Sequence, residues 1–345
     1  MNEQKKHTEG RVLIAAFEGW SDAGAATSTA LEYLGDLIDA EMIHTIGSEG
    51  YVDYQVHRPK VMIEDDGTRT IDWPDTRLYA TVQRPGAEVP PGAAGADAVS
   101  AAPTAVPGEL TATVDEAGKK PDRITRLDGT IVNDLFLLAG VEPARNWQAY
   151  ADELLELVDT WGITTVIFLG SFFSDAPHTR PIVTSLSSES SAARARFDAS
   201  RGDYEGPAGI TTIVEMALHG AGIETIALWA QVPHYVHSMP SPKATLALLD
   251  KLEELLDAVI PRGDLLDQAT QWERNIDQVA SVDDEMQRYI RRLEAARDTV
   301  EAPEATGDAI AYEFEKFLRI DPDQATTDDS GQQSPEPPAD ETPAG

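Results

Sequence analysis

Polar residues that could do chemistry are concentrated in three loops, and each loop follows an apolar run typical of a buried strand. Residues 18–24 follow Val12–Phe17, residues 171–181 follow Val166–Gly170, and residues 233–242 follow Ile226–Val232. The carboxyl ends of parallel strands meet at one edge of an open α/β sheet, so we expect these loops to converge on one crevice. With the turn before a predicted helix at Gly209–Gly220, they supply the candidate residues Glu18, Trp20, Ser21, Asp22, Ser171, Asp175, His178, Arg180, Glu205, Gly206, Pro207, His234 and Tyr235.

Two of these segments precede predicted helices and have two interpretations each. Ser21 or Asp22 caps the helix that follows, or the first amides of that helix are free to bind a phosphate or carboxylate. The turn at Gly206-Pro207 is open to the same two interpretations. It lacks both the glycine spacing of a dinucleotide fingerprint and the lysine of a P-loop.

The second loop combines a histidine, an arginine and an aspartate between two prolines. His178 and Arg180, beside Asp175, could bind an anion or stabilise developing charge. The alternative is a structural loop held by salt bridges and fixed in conformation by Pro177 and Pro181. The sequence favours neither interpretation.

Several catalytic chemistries are excluded or disfavoured. The chain contains no cysteine, which excludes disulfide bonds, thiolate metal sites and a cysteine nucleophile. Neither Gly170-Ser171-Phe172 nor Gly19-Trp20-Ser21 matches the Gly-x-Ser-x-Gly elbow of serine hydrolases. His234 and His237 have no acidic third ligand nearby and follow a strand end, so a hydrogen-bonded structural role is favoured over a metal site. We expect no metal and no cofactor, and no residue is assigned a catalytic role.

Strand and helix patterns alternate along the chain, which is typical of an α/β fold with a mainly parallel sheet. The predicted strands are Val12–Phe17, Met42–Ile46, Leu78–Val82, Asp134–Ala139, Thr164–Leu169 and Ile226–Val232. The predicted helices are Ala23–Ile38, Asn146–Trp161, Gly209–Gly220 and a helix from Ser241 to about Ile260. A β-hairpin is expected where Lys60–Glu64 and Arg69–Trp73 flank Asp65-Asp66-Gly67.

The predicted organisation is an α/β domain at residues 11–260 with additions. Residues 1–10 and 321–345 are expected to be flexible, and the Ala-, Pro- and Gly-rich segment at about 85–128 is expected to be a disordered insertion. A helical appendage covers residues 261–320 and ends in an amphipathic piece at Asp308–Arg319. Its helices at Asp264–Val279 and Val282–Asp298 carry apolar stripes, which must pack on the α/β domain or on another subunit.

The charge and hydropathy of the chain limit its partners. Acidic residues number 60 against 27 basic ones, a formal charge of -33, so nucleic acid is not an expected partner. The acidity is interpreted as aiding solubility or as a bias of a salt-adapted proteome. Every apolar run falls short of the ~20 residues that a membrane helix needs, and the start of the chain is polar. We therefore expect a cytoplasmic protein without a membrane span.

Four segments carry a family resemblance: residues 138–143 (LAGVEP) with Trp147, residues 177–181 (PHTRP), residues 204–210 (YEGPAGI), and residues 229–236 (WAQVPHYV) with residues 242–244 (PKA). In order and spacing they resemble the bacterial, actinobacterial-type branch of the proteasome assembly chaperone 2 family, over about Val12–Leu256 apart from the insertion. The resemblance implies a phosphorylase/hydrolase-like three-layer α/β domain and a homo-oligomer such as a trimer. In eukaryotic relatives it implies a non-enzymatic role in assembling proteasome rings.

Two functions therefore stand as hypotheses. The first is a non-enzymatic interaction or assembly protein with an unidentified protein partner. The alternative is a small-molecule enzyme or binding protein that acts on a nucleoside or phosphate-bearing ligand. In that case Glu205, His178, Arg180 and His234 would supply the polar groups of the pocket.

Overall fold

Strands and helices alternate in a computed structural model that describes residues 8, 10–81, 123–202 and 205–301. The strands are β1 (Arg11–Glu18), β2 (Ala40–Ile46), β3 (Lys60–Ile63), β4 (Arg69–Asp72), β5 (Thr76–Thr81), β6 (Thr125–Arg126), β7 (Leu135–Val141), β8 (Ile163–Ser174), β9 (Thr184–Ser187), β10 (Glu224–Pro233) and β11 (Ala258–Val259). The helices are α1 (Ala26–Leu37), α2 (Trp147–Thr160), α3 (Ser191–Phe197), α4 (Ile210–Gly220), α5 (Pro242–Leu256), α6 (Leu265–Ala280) and α7 (Asp284–Glu301).

Seven strands form the main sheet, in the order β2-β5-β7-β1-β8-β10-β9. The central strands β7, β1, β8 and β10 pair in parallel. The outer strands β2, β5 and β9 run antiparallel to their neighbours. The α/β class with a mainly parallel sheet is therefore confirmed.

Helices cover both faces of this sheet and make three layers. Leu13, Ala15 and Phe17 of β1 belong to a buried cluster with α2 and α4, whereas Val12, Ile14 and Ala16 belong to a cluster with α1 and α5. Six consecutive residues of β1 are buried as a result, which explains why its sequence is a continuous apolar run rather than an alternating one.

The surroundings of Glu215 on α4 strongly shift the pKa of its carboxyl group. Burial, followed by the negative charge of Glu189, raises the pKa of Glu215 to about 7. The folded chain therefore binds a proton at this site more tightly than the unfolded chain does. The ionised form opposes folding above pH 7, and this cost disappears as the pH falls toward the ordinary value of 4.5.

We therefore expect Glu215→Gln to stabilise the protein at pH 8 by about 2 kcal/mol, since the amide removes the cost of the ionised form. At pH 4.5 the gain should vanish. Urea denaturation at both pH values measures the difference, with the exposed Glu156→Gln on α2 as a control that changes little. An equal gain at both pH values would contradict the titration.

The end of α5 differs from the sequence prediction. The helix ends at Leu256 rather than near Ile260, because Asp257 adopts a left-handed conformation with a φ of 50°. The next residues form β11, which pairs antiparallel with β6. Residues 123–128, the last part of the segment predicted to be a disordered insertion, include β6 and thus belong to the fold. The rest of that segment lies outside the described residues.

Two compact units divide the chain at residue 294. The first, residues 1–294, contains the sheet, α1 to α6 and most of α7, and of the second the structure describes residues 295–301. Leu265 and Ala269 of α6 join the core cluster of α1 and α5, while Trp272 and Ile276 pack on Val236. The apolar stripe of α6 is thus buried within its own unit. The predicted helix at Asp308–Arg319 and the predicted tail lie outside the described residues.

Candidate functional site

The predicted loops lie near the edge of the sheet where the parallel strands β1, β8 and β10 end, which we call the carboxyl edge. The predicted end of β8 is wrong: the strand continues to Ser174, so Ser171 lies within β8 and not in the loop that follows. The candidate side chains fall into two groups with different contacts. One group surrounds the start of α1 and the start of α4. The other contacts α6 and α7, which together form the C-terminal helical hairpin.

Asp22 caps the start of α1. One carboxylate oxygen accepts hydrogen bonds from the Thr27 amide (2.8 Å), the Thr27 hydroxyl (2.7 Å) and the Ser28 amide (3.3 Å), and the other accepts from the Ser28 hydroxyl (2.6 Å). These bonds satisfy amides that a helix start otherwise leaves without partners. The capping interpretation of Asp22 therefore holds, and these amides are engaged by the chain itself.

Replacing Asp22 by Ala should lower the free energy of unfolding by about 1 to 2 kcal/mol, because the four hydrogen bonds are lost together. Asp22→Asn keeps one acceptor oxygen and should retain a large part of the stability. Chemical denaturation of both variants measures this. Equal stability of Asp22→Ala and the parent chain would show that the cap contributes nothing.

The two candidate serines, Ser21 and Ser171, are buried and take part in hydrogen bonds to backbone carbonyls. The Ser171 amide donates to the Ser21 carbonyl (2.8 Å), and the Ser171 hydroxyl donates to the Ala23 carbonyl (2.9 Å). These bonds tie the end of β8 to the loop after β1. Neither hydroxyl has the exposed position that a nucleophile needs.

The start of α4 is capped by a residue of the LAGVEP segment that was not among the candidate site residues. The Ile210 amide donates to Glu142 Oε1 (3.1 Å), and Glu142 lies directly after β7. A carboxylate is the kind of anion that a helix N-terminus stabilises. The first amide of α4, where the anion site at Gly206-Pro207 was considered, is therefore bonded to the chain's own Glu142, while Glu205, Gly206 and Pro207 are exposed. An acidic residue directly after a strand was the available signal.

Trp20 is the most exposed aromatic side chain of this group, at 78%. It lies beside the start of α4, where a Cβ built on Gly209 would be 3.9 Å from the indole ring. Partial burial, followed by the charge of Asp22, raises the pKa of Glu18. A small cavity lined by Glu18, Ser28 and Glu32 has room for about one water molecule.

His178 is the centre of the second group and is fully buried. The Tyr235 hydroxyl accepts a hydrogen bond from the His178 backbone amide (2.7 Å) and lies 2.8 Å from Nδ1. The Asp277 carboxylate of α6 lies 3.0 Å from Nε2 and can only accept, so in the neutral ring Nε2 carries the proton and Nδ1 accepts from the Tyr235 hydroxyl. Burial lowers the pKa of His178, although Asp277 acts to raise it, so the neutral ring fits this network.

The residues after His178 bind the C-terminal helical hairpin. Thr179 donates to Glu294 of α7, and the Arg180 guanidinium lies 3.4 Å from the same carboxylate. Lys243, at the start of α5, donates to the His178 carbonyl (2.6 Å) and forms an ion pair with Glu273 of α6. The segment predicted as an anion site or a structural loop thus holds the hairpin by hydrogen bonds and ion pairs.

His234 and Tyr235 contact the same hairpin. The ring centroids of His234 and Tyr235 lie 5.6 Å and 6.2 Å from that of Tyr289 on α7. The Tyr289 hydroxyl donates to Asp175 (3.1 Å), which lies 3.3 Å from His234 Nδ1. The structure therefore brings Asp175, His178, His234 and Tyr235 together. Across the described ranges, no group of three or more His, Asp or Glu side chains could hold a metal ion.

The comparisons with known proteins agree on one family. The model of the PAC2 family matches residues 16–280. A PAC2 family protein from Streptomyces avermitilis is 36% identical, with 81% of this chain and 98% of that chain covered and a TM-score of 0.62. A proteasome-assembly chaperone homologue from Mycobacterium tuberculosis is 35% identical, with 81% and 99% covered and a TM-score of 0.61. No curated protein matches the chain.

A more distant likeness concerns the fold alone. The archaeal proteasome activator PbaB from Pyrococcus furiosus is 14% identical, with 78% of this chain and 93% of that chain covered and a TM-score of 0.52. None of the helices in the described part of the chain is long and apolar enough to span a membrane.

Proposed function

Because the chain belongs to the PAC2 family, we propose that it is a non-enzymatic interaction protein that acts in assembling a protein complex. The Mycobacterium tuberculosis relative described as a proteasome-assembly chaperone homologue suggests the kind of complex. A proteasome subunit is therefore the first partner to test.

One observation carries this proposal. The polar residues that an enzyme of this fold class would direct into an open crevice are used here to hold helices. Buried His178 bonds to Asp277, and Arg180 and Thr179 bind Glu294. Over the ends of β8 and β10 the chain therefore places the C-terminal helical hairpin, which is a protein surface rather than a substrate pocket.

Exposed apolar side chains at the carboxyl edge supply a surface for a partner. Trp20, Phe172, Phe173 and Met239 are between 38% and 78% exposed, and all four follow or end strands of the parallel core. Large exposed aromatic residues are enriched where proteins dock. The alternative of a phosphate-bearing ligand is disfavoured, because the first amide of α4 already bonds to Glu142, whose carboxylate would repel a phosphate at this helix start.

Affinity purification from the native cell tests the proposal. Proteasome subunits should co-purify with the parent chain, and Trp20→Ala should reduce their recovery by about fivefold or more, since truncating a central interface aromatic removes much of the binding energy. Val282→Ala is the matched control, because Val282 is 86% exposed and lies in the turn between α6 and α7. Native mass spectrometry that finds a retained nucleotide or sugar phosphate, with no protein partner, would support the enzyme alternative instead.

The proposal includes self-association in the cytoplasm. The apolar stripe of α6 does not support it, since that stripe is buried within its own unit. Family resemblance does support it. Chains that each carry a charge of -33 repel one another, so we expect sedimentation to detect a stronger oligomer at high salt. A monomer at every ionic strength would contradict self-association.

A further inference from the structure

The hairpin of β3 and β4 presents an apolar face to solvent. Val61 pairs directly with Ile71 across the hairpin, so these side chains share one face, and Ile63, two residues after Val61, shares it too. The three side chains are 53%, 53% and 71% exposed. A two-stranded hairpin on its own is marginally stable in water, and such a face is a place for a partner.

The backbone of β3 also offers hydrogen bonds along its outer edge. The Glu64 amide donates to the Thr68 carbonyl, which makes Glu64 and, by alternation, Met62 and Lys60 the residues that bond to β4. The amides and carbonyls of Val61 and Ile63 therefore point away from β4. Among the described residues, no strand pairs with this side of β3.

We propose that the outer edge of β3 pairs antiparallel with β3 of a second copy of the chain, about a two-fold axis at Met62. In this register Val61 lies opposite Ile63 of the partner and exchanges both backbone hydrogen bonds with it, and the converse pair does the same. Met62 of one copy lies opposite Met62 of the other copy across the axis. Lys60 of each copy lies opposite Glu64 of the other copy, so the contact contains two such pairs.

The opposite charges of Lys60 and Glu64 favour a second copy of β3 as the partner and determine the register in which the two copies pair. Among antiparallel self-pairings that use the outward amides of Val61 and Ile63, a shift one way brings Ile63 opposite Pro59, which has no amide hydrogen. A shift the other way brings Lys60 opposite Asp66, which lies in the turn after β3 and is not extended for pairing. Only the register centred on Met62 places Lys60 opposite Glu64. On the outer edge of β4, the outward backbone groups belong to Arg69 and Ile71, so a self-pairing at that edge cannot place Arg69 opposite Asp72, whose backbone groups point toward β3. Glu64, which accepts a hydrogen bond from Thr70 (2.7 Å), remains at the surface of this edge.

This inference rests on the proposed self-association and specifies its contact. A two-fold contact closes on itself, so it gives a dimer, or a dihedral assembly where a second interface has three-fold symmetry. The two ion pairs are exposed and add little to affinity, so their role is to fix the register. The net repulsion between the chains still makes the contact stronger at high salt.

Cross-linking tests the proposal sharply, because the chain has no cysteine of its own. In an antiparallel sheet, facing residues that are not hydrogen-bonded have Cα atoms about 4.5 Å apart, which is within the range of a disulfide. Met62→Cys should therefore form a disulfide-linked dimer under mild oxidation. Thr70→Cys is the matched control, since Thr70 lies directly across the hairpin from Met62, and its copy would be about 14 Å away, beyond disulfide reach.

Charge exchange tests the register without relying on a cysteine. Lys60→Glu and Glu64→Lys should each weaken the dimer about tenfold, because each variant places like charges opposite each other at both pairs. The double exchange should restore the affinity, because it places opposite charges across from each other again. Sedimentation measures each affinity, and circular dichroism confirms that each variant is folded. The proposal is supported if Met62→Cys cross-links the two copies and the double exchange restores the affinity of the dimer.

Three outcomes overturn the proposed contact. A parent chain that is monomeric at every concentration and salt overturns both the contact and the proposed self-association. An oligomeric parent chain in which Met62→Cys does not cross-link, or in which Thr70→Cys cross-links instead, overturns the contact and leaves self-association standing. Weakening by the single charge variants without restoration by the double exchange overturns the register.

Discussion

His178→Ala should destabilise the protein by about 3 kcal/mol and free the C-terminal helical hairpin from the carboxyl edge. The side chain is fully buried, so its removal leaves a cavity and removes both the acceptor of the Tyr235 hydroxyl proton and the ring N–H that donates to Asp277. Its ring also lies against Trp272 of α6, with centroids 6.3 Å apart. Thermal and urea denaturation measure the loss of stability.

The position of the loss is as informative as its size. Limited proteolysis or amide exchange should reveal earlier opening of α6 and α7 than of the sheet, because His178 links the hairpin to the loop after β8. His234→Ala is the control: His234 bonds to the same hairpin, but its side chain is 44% exposed, so we expect a loss below about 1 kcal/mol. Equal losses from the two variants would contradict the central role of His178.

Gly170→Ala should cost about 2 to 3 kcal/mol, for a reason that is purely steric. A Cβ at this position would lie 2.3 to 2.6 Å from three ring atoms of Trp229, closer than real Cβ contacts allow. Trp229 is the direct neighbour of Gly170 in the pairing of β8 with β10, and its ring lies 6.1 Å from that of Phe172. Either the indole or the strand must move, and overpacking of this kind is destabilising.

Two further variants test this explanation. In Gly202→Ala, no described atom other than those of adjacent residues lies within 4 Å of the new Cβ, so the stability should change by less than about 0.5 kcal/mol. Adding Trp229→Leu to Gly170→Ala should recover part of the loss, since the two substitutions act on one contact. A chain that tolerates Gly170→Ala with no change in denaturation midpoint would show that β8 and β10 adjust freely at their carboxyl ends.

The main strands and helices could be predicted from sequence because their signals are local. The apolar run Val12–Phe17, the turn residues between β3 and β4, and the Ser241-Pro242 start of α5 each act within a few residues, and each element forms where expected. The strands β6 and β11 are two residues long and pair with each other although they lie far apart in the chain, so no local signal indicates this pairing. The helix α5 ends four residues before its predicted end because Asp257 adopts a left-handed conformation, which the apolar pattern does not indicate.

The candidate site, like the fold, could be predicted only in part from the sequence. The apolar pattern predicted that the candidate residues lie near the carboxyl ends of β1, β8 and β10, but it ended β8 before Ser171, which belongs to the strand. The sequence left open whether His178 and Arg180 bind a ligand or the chain itself, and Glu142 was not among the candidate site residues. Those questions depend on partners far away in the chain: His178 contacts Tyr235 and Asp277 at separations of 57 and 99 residues, and Glu142 caps a helix 68 residues later. Hydrogen bonds of that range are set by how the elements pack, so only the tertiary structure decided that these polar groups hold helices in place.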